Sequence, residues 1–149
     1  MWVSMGSMSL LDQIQVKPQQ QISTAGGDVW HALKSTEDSF IGFGEAYFSW
    51  VEPGAIKAWK QHLHMTMNLI VPIGTVRFIF YELGNSSFRE ERIGTFFYAR
   101  LTVPPRIWFG FQGISETPSL MLNVANMPHD PKEIERKSLE EIRFDWQEV

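Results

Sequence analysis

Turn-forming residues interrupt this chain at short intervals, and their spacing limits the folds that the chain can adopt. Four such breaks are Pro53-Gly54, Gly74, Gly84-Asn85 and Pro104-Pro105. The segments between them are rich in aromatic and β-branched residues, and Thr75–Glu82 is the clearest predicted strand. Turn signals that recur roughly every 8–12 residues are typical of a β-sandwich or barrel. Because no predicted strand leads into a long helical crossover, a parallel α/β sheet is not expected.

The composition agrees with an all-β globular protein and excludes several kinds of function. Aromatic side chains, which bury large areas and favour strands, number 11 Phe, 6 Trp and 3 Tyr. The formal net charge of -4 argues against a general nucleic-acid binder, since such proteins need a basic face. The absence of Cys excludes disulfides, thiolate nucleophiles and Cys-ligated zinc, and it fits a reducing compartment.

The ends of the chain give three further expectations. No apolar run approaches the roughly 18–20 residues of a membrane span, and the start lacks the features of a signal peptide. We therefore expect a cytoplasmic protein that binds neither membrane nor nucleic acid. Three methionines crowd the first eight residues, so residues 1–8 are predicted to be disordered or a non-native start. Residues 9–149 are predicted to form a single domain.

The tail differs from the rest of the chain. Asp130-Pro-Lys-Glu133 combines an N-cap residue, a proline at the first helical position and a glutamate three residues after the cap. Ser138-Leu-Glu-Glu141 repeats the capping pattern. These motifs predict a short C-terminal helical segment of one or two turns, packed outside the barrel.

Several motifs between residues 27 and 146 resemble one known family. They are Lys57-x-Trp59-Lys60-x-His62, Leu101-Thr-Val-Pro-Pro-Arg-Ile-Trp-Phe-Gly-Phe111 and Asn123-x-x-Asn126-x-Pro-His-Asp-Pro131. This order is similar to that of the dTDP-4-dehydrorhamnose 3,5-epimerases and the related dTDP-4-keto-6-deoxyhexose 3,4-ketoisomerases. The resemblance implies a jelly-roll (cupin) β-barrel, a homodimer, and chemistry on a nucleotide sugar without a metal or other cofactor.

The resemblance also implies a reaction, in which a proton moves next to the 4-keto group of a dTDP-deoxysugar. Such a reaction needs two proton-transfer groups and a group that holds the oxyanion. Lys60 stands where the epimerases carry their catalytic His, and Leu122 lies near the place of their catalytic Tyr. The His-x-His of the ketoisomerases corresponds to Lys60 and His62, and Tyr47 is the nearest match to their Tyr. We predict that Lys60 and His62 move protons, assisted by Tyr47.

A second set of residues is predicted to bind the substrate. The set is Lys57, Arg106, Trp59, Trp108, Asn68 and Asn123. Lys57 matches an arginine of the family, and the planar fork of Arg106 suits a diphosphate. Trp59 and Trp108 either belong to the core or stack on a base or sugar. Because Lys57 and Lys60 are three residues apart, a regular strand would place them on opposite faces.

Two alternative functions remain open. A non-catalytic cupin that binds a sugar nucleotide is suggested by the replaced His and Tyr of the epimerases. A metal-dependent cupin is suggested by His62 and His64, because residues i and i+2 of a strand share one face. Asn68 and Phe109 occupy the places where further ligands of a metal cupin would stand, so no metal is predicted.

Overall fold

The computed structural model describes residues 9–147, which fold mainly into antiparallel strands. The prediction for residues 1–8 lies outside this range. The strands are β1 (Gln15–Pro18), β2 (Gln21–Ile22), β3 (Val29–Trp30), β4 (Glu45–Val51), β5 (Ile56–His62), β6 (Met67–Ile73), β7 (Thr75–Glu82), β8 (Ser87–Gly94), β9 (Ala99–Val103), β10 (Trp108–Gly113), β11 (Ser119–Ala125) and β12 (Ile134–Arg136). Single 3-10 turns lie at Leu10–Gln13 and Pro131–Glu133. The all-β prediction is confirmed.

Two five-stranded sheets pack face to face. The first sheet has the strand order β1-β9-β6-β11-β4, and the second sheet has the order β12-β5-β10-β7-β8. Strands β2 and β3 form a separate hairpin. The interior is filled from both sheets by side chains that are almost fully buried, including Leu69 and Val71 from the first sheet and Phe78 and Phe80 from the second. Among residues 9–147, no helix has the length and apolar character to cross a membrane.

The C-terminal segment covers the outer face of the second sheet. Its Ile142 and Trp146 form a second hydrophobic cluster with Trp59, Ile79 and Trp108, whose side chains point away from the interior. The indole N–H of Trp59 donates to the Ile142 carbonyl at 2.9 Å. The tail is therefore anchored on the back of β5, the strand that carries the lysines.

The tail prediction is confirmed in part. The Asp130 side chain accepts from the Lys132 N–H at 3.0 Å and caps the 3-10 turn Pro131–Glu133. Ser138 and Glu141 exchange backbone-to-side-chain hydrogen bonds, but they form a turn and not a helix. Strand β12 was not predicted, because its three residues become a strand only through pairing with β5.

Candidate functional site

A cavity of about 160 Å³ opens between the two sheets. Its walls come from β4, β5, β6, β7, β10 and β11, and the lining residues are Tyr47, Ser49, Lys57, Lys60, Met67, Leu69, Phe78, Phe109, Phe111, Met121 and Asn123. Five of these side chains are polar, and the remainder are apolar or aromatic. The cavity can therefore hold a ring that has both apolar and hydrogen-bonding parts.

Both lysines of β5 line this cavity, contrary to the expectation that they lie on opposite faces. The reason is a bulge, since Lys60 pairs with Phe109 whereas Lys57 pairs with Phe111, which leaves one extra residue on β5. Gly110 lies opposite the bulge. A Cβ at residue 110 would overlap the Cβ of Ala58, so only glycine allows the two strands to approach this closely.

Lys60 is partly buried among aromatic rings and positive charges. Its Nζ lies 5.9 Å from the centroid of the Phe109 ring. Burial lowers the pKa of Lys60 below its ordinary value, the positive charge of Arg136 lowers it further, and the carboxylate of Glu133 acts in the opposite direction. A lysine whose pKa is lowered in this way gains a larger neutral fraction, which can accept a proton.

Tyr47 and Asn123 lie side by side on neighbouring strands of the first sheet, because they are paired in the register of β4 and β11. Asn123 Nδ2 donates to the Tyr47 hydroxyl at 3.1 Å. The Asn123 side chain is buried, with 1% of the residue exposed, and its Oδ1 has no hydrogen-bond partner among residues 9–147. A buried acceptor without a partner is uncommon in proteins.

His62 is buried at the end of β5 and does not line the cavity. Its Nδ1 is hydrogen-bonded to the carboxylate of Glu133, and its ring stacks on Phe109 with centroids 5.9 Å apart. Burial lowers the pKa of His62, although Glu133 opposes this shift. Its Nε2 has no hydrogen-bond partner in the part of the chain that the structure describes.

Glu133 is a site residue that the sequence analysis did not identify. Burial acts to raise its pKa, but hydrogen bonds from the His64 N–H, His62 and the Met65 N–H outweigh burial, so the pKa lies below the ordinary value. The sequence signal was the Asp-Pro-Lys-Glu capping motif, in which a glutamate at the third position normally turns back toward the cap. Here Glu133 bonds instead to the backbone after β5, at 2.9 Å from the His64 nitrogen.

The structure does not bring His62 and His64 together as metal ligands. Strand β5 ends at His62, so the same-face rule for alternate strand residues does not reach His64, which is exposed in a bend. Within residues 9–147, no cluster of three or more His, Asp or Glu side chains is suited to a metal ion. The geometry therefore gives the metal-dependent alternative no support.

Trp59 and Trp108 lie in the outer hydrophobic cluster, which agrees with the alternative that they belong to the core and not with stacking on a ligand in the cavity. Trp59 is 1% exposed, and its indole N–H is occupied by the Ile142 carbonyl. Trp108 is buried in the same cluster, with Lys137 over its ring at 5.4 Å. Neither ring presents a free face to the cavity between the sheets.

Asn68 and Arg106 also lie away from the cavity. Asn68 donates to the Ser39 carbonyl at 3.1 Å and accepts from the Thr102 hydroxyl at 2.7 Å, so its amide is satisfied on the outer face of the first sheet. Arg106 is exposed in the turn between β9 and β10, where its N–H donates to the His62 carbonyl. Neither side chain lines the cavity.

A groove of about 290 Å³ runs along β5 next to the cavity. It shares Lys57, Lys60 and two phenylalanines with the cavity, and it adds Ile56, Ala58 and Trp59 from β5 and Arg136 from β12. The backbone of Arg136 pairs with that of Lys60. Three cationic side chains thus border one continuous surface. Arg136 was not predicted as a site residue, because its segment was expected to be helical.

Comparison with known proteins identifies relatives over most of the chain, although no protein-family model matches it. The crystal structure of a dTDP sugar isomerase from Desulfovibrio desulfuricans G20 is 33% identical, with coverage of 91% of this chain and 92% of that one and a TM-score of 0.85. The spore coat polysaccharide biosynthesis protein SpsL of Bacillus subtilis strain 168 is 23% identical over 146 residues, which is 92% of this chain and 97% of SpsL.

A more distant likeness concerns the fold alone. QdtA, a sugar 3,4-ketoisomerase from Thermoanaerobacterium thermosaccharolyticum solved in complex with TDP, is 15% identical over 87% of this chain and 91% of its own, with a TM-score of 0.72. Together with the face-to-face sheets described above, these likenesses confirm the predicted jelly-roll fold.

Proposed function

The chain belongs to the cupin family of dTDP-sugar isomerases and epimerases, and on this premise we propose that it moves a proton next to the 4-keto group of a dTDP-deoxysugar. The resemblance seen in the sequence is confirmed by this membership. The observation that carries the proposed reaction is that Lys60 of the second sheet and Tyr47 of the first sheet both line the cavity between the sheets.

In the proposed reaction, neutral Lys60 takes the proton from the ring carbon next to the ketone. Tyr47 donates its proton to the ketone oxygen, so that an enediol forms and no free oxyanion accumulates. The Lys60 ammonium then returns its proton to the former carbonyl carbon, and the Tyr47 phenolate recovers a proton from the neighbouring hydroxyl. The ketone has moved by one carbon, and both groups are back in their starting states.

A single base favours ketoisomerisation over double epimerisation. Inversion at a carbon requires that the proton leaves one face of the ring and returns to the other. In the described cavity, Lys60 is the amine with a lowered pKa, and it lies on one wall. Removal and return of the proton on the same face would transfer the ketone and leave the other ring carbons unchanged.

The cationic groove beside the cavity suits the diphosphate of the substrate. Lys57 and Arg136 border this groove, and phosphate oxygens accept hydrogen bonds from both kinds of side chain. We assign the diphosphate to these two residues and not to Arg106, which lies in a turn away from the groove. His62 does not line the cavity, so we assign it, with Glu133, a positioning role at the end of β5.

The experiment that tests this function is exchange of substrate hydrogen in deuterated water. The protein is mixed with dTDP-4-keto-6-deoxyglucose, and deuterium at the ring carbons is measured by NMR. Lys60→Met should slow exchange by about 100-fold to 10,000-fold, the usual contribution of a positioned base. Lys132→Met, at an exposed position outside the site, is the matched control and should leave exchange unchanged.

Two further readouts separate a base from a residue that only supports the fold. The exchange rate of the unmodified protein should rise with pH through the lowered pKa of Lys60, because the neutral amine is the reactive form. His62→Gln should retain this pH profile. If His62→Gln abolished exchange while Lys60→Met retained it, the role of base would pass to His62.

A second candidate is a non-catalytic protein that binds the sugar nucleotide. It is favoured by the position of His62, which is buried and occupied by Glu133 where the family resemblance leads one to expect a proton-transfer group. This candidate predicts that dTDP-4-keto-6-deoxyglucose binds without any incorporation of deuterium. Lys60→Met would then weaken binding and have no reaction to slow.

We also propose that the protein is a cytoplasmic homodimer. Phe48 and Trp50 project from the outer face of β4 and are 63% and 56% exposed. They lie beside half-buried Leu120 and Leu122 of β11, so the four side chains form one apolar face, here called the β4 face. A second copy of the chain would cover it, because exposed apolar areas of this kind mark interaction sites. Light scattering should give twice the mass of the chain, and a monomer at high concentration would refute the dimer.

A further inference from the structure

We propose that Asn123 selects sugars that carry a hydroxyl group on the carbon next to the ketone, because its Oδ1 accepts a hydrogen bond from this hydroxyl. The inference rests on the proposed function, in that it takes a keto sugar as the occupant of the cavity. It adds a determinant of substrate choice to the proton-transfer groups.

The unpartnered oxygen of Asn123 is the starting observation. The residue is 1% exposed, lines the cavity, and uses Nδ2 to donate to Tyr47. Its Oδ1 has no partner among the described residues. Leaving a buried acceptor unpaired is unfavourable, so a ligand that supplies a donor should bind about tenfold more tightly than one that does not.

The second buried asparagine of the first sheet shows that this chain can satisfy such a group internally. Asn68 lies one register position from Asn123 across β6 and β11, since Asn68 pairs with Val124 and Leu69 pairs with Asn123. Its amide donates to Ser39 and accepts from Thr102. Asn68 points outward, and both ends of its side-chain amide are hydrogen-bonded. Asn123 points into the cavity, and its amide oxygen has no hydrogen-bond partner among the described residues.

Within residues 9–147, no donor is bonded to that oxygen. Leu69 lies opposite it on β6, and Met121 lies two residues before it on the same face of β11. Tyr47 and Ser49 are the hydroxyl groups that line this side of the cavity, and the Tyr47 hydroxyl accepts from Asn123 Nδ2. Asn123 and Tyr47 thus present an acceptor, Asn123 Oδ1, and a donor, the Tyr47 O–H, next to each other.

An acceptor beside a donor matches the two neighbouring groups of an α-hydroxyketone. The hydroxyl of the sugar donates to Asn123 Oδ1, and the ketone oxygen accepts from Tyr47. A sugar that lacks this hydroxyl leaves Oδ1 unpaired in the closed complex, where water no longer reaches it. Sites built to bond a substrate hydroxyl reject the analogue without it far more strongly than apolar pockets reject a missing methylene.

The experiment compares two ligands on two backgrounds. The dissociation constants of dTDP-4-keto-6-deoxyglucose and its 3-deoxy analogue are measured by calorimetry in Lys60→Met, which suppresses turnover. The hydroxylated sugar should bind about tenfold more tightly, in keeping with the cost of an unpaired acceptor. Adding Asn123→Leu, which fits the apolar neighbours in size, should bring the ratio of the two constants close to one.

Controls tie the ratio to the oxygen of Asn123. Asn68→Ala removes the other buried amide, and it should lower the midpoint of urea unfolding while the ratio is kept. Asn123→Asp retains an acceptor and should retain the preference for the hydroxylated sugar. Equal binding of both sugars to Lys60→Met, or a preference that survives Asn123→Leu, would overturn the inference.

The outcomes also separate this inference from the proposed reaction. A hydroxyl preference that depends on Asn123, together with no deuterium exchange in the unmodified protein, would refute the reaction and support the role of Asn123. Exchange without any preference would support the reaction and refute the role of Asn123. If neither sugar bound, the proposed reaction and the role of Asn123 would both be refuted.

Discussion

The outer faces of the two sheets carry similar aromatic side chains that differ in solvent exposure. On the second sheet, Trp59 and Trp108 are covered by the C-terminal segment and are almost fully buried. On the first sheet, Phe48 and Trp50 of the β4 face are more than half exposed. The difference teaches that an outward aromatic residue is not evidence of a ligand site, because what covers it is decided by a distant part of the chain.

The covered face is fixed by a buried arginine as well as by apolar contacts. Arg77 on β7 donates to the Trp146 carbonyl at 3.3 Å and forms an ion pair with Glu90 at 2.8 Å. Its guanidinium lies 5.2 Å from the centroid of the Phe144 ring. The tail is therefore held by directional contacts, whereas the β4 face has no such cover within residues 9–147.

The largest expected effect is loss of the covered aromatic cluster. Trp59→Ala should lower the free energy of unfolding by about 3–5 kcal/mol, because it removes a fully buried indole and leaves a cavity. The matched variant Trp50→Ala, on the β4 face, should lower the stability of the monomer by less than about 1 kcal/mol. Urea unfolding at low protein concentration measures both. Equal losses would mean that the two faces do not differ as described.

A smaller effect is expected where the tail is held by charge. Arg77→Met should cost about 1–3 kcal/mol, since Gln112 and the Trp146 carbonyl lose their buried donor. Arg92→Met removes an exposed partner of the same Glu90 and should cost at most about 1 kcal/mol. Thermal unfolding of the two variants measures both losses. A larger loss of stability in Arg92→Met than in Arg77→Met would contradict the role of Arg77 in holding the tail.

Acidic substitutions can test whether the β4 face is the dimer interface. The double change Phe48→Asp and Trp50→Asp should convert the proposed dimer into monomers, because two carboxylates per chain would meet at the interface. The stability of the folded monomer should change by less than about 1 kcal/mol, since both side chains are already exposed. Light scattering reports the mass. A dimer that persists would place the interface elsewhere.

The smallest effect is expected at β9 of the first sheet, where the side chain of Glu37 covers Arg100. The side-chain hydrogen bond from Arg100 is the main cause that lowers the pKa of Glu37 from 4.5 to about 2, and the bond from Lys17 adds to it. The contribution of Glu37 is therefore complete above pH 4.5 and is lost as the pH falls toward 2. The stability difference between the unmodified protein and Glu37→Gln should shrink over this range. A difference that stays constant would refute the ion pair.

The sequence predicted the fold well because its turn spacing is a local signal. The strand faces were harder to predict, since they depend on contacts between distant segments. Residues 67–71 of β6 are all buried, so their pattern does not reveal that Leu69 faces the cavity and Asn68 does not. The shared face of Lys57 and Lys60 depends on a bulge in the pairing with β10, for which β5 alone carries no signal.

The acidic partner of His62 was missed for a related reason. Glu133 is 71 residues away in the chain, and its motif has a sufficient local explanation as a helix cap. Tyr47, Lys57 and Lys60 were predicted from the family resemblance and Asn123 from its amide on an apolar strand, and the structure places all four on one cavity. Their roles remain proposals until exchange and binding are measured.

The glycine opposite the bulge has a consequence for anyone who modifies this protein. Gly110 has no side chain in the cavity, and its missing Cβ faces Ala58 and Trp146 on the back of the second sheet. A methyl group there would overlap the Cβ of Ala58, so β5 and β10 would have to move apart at the bulge between Lys57 and Lys60. A search for altered reactivity that varied only the lining residues would therefore overlook a position that limits how closely the strand of the two lysines approaches β10.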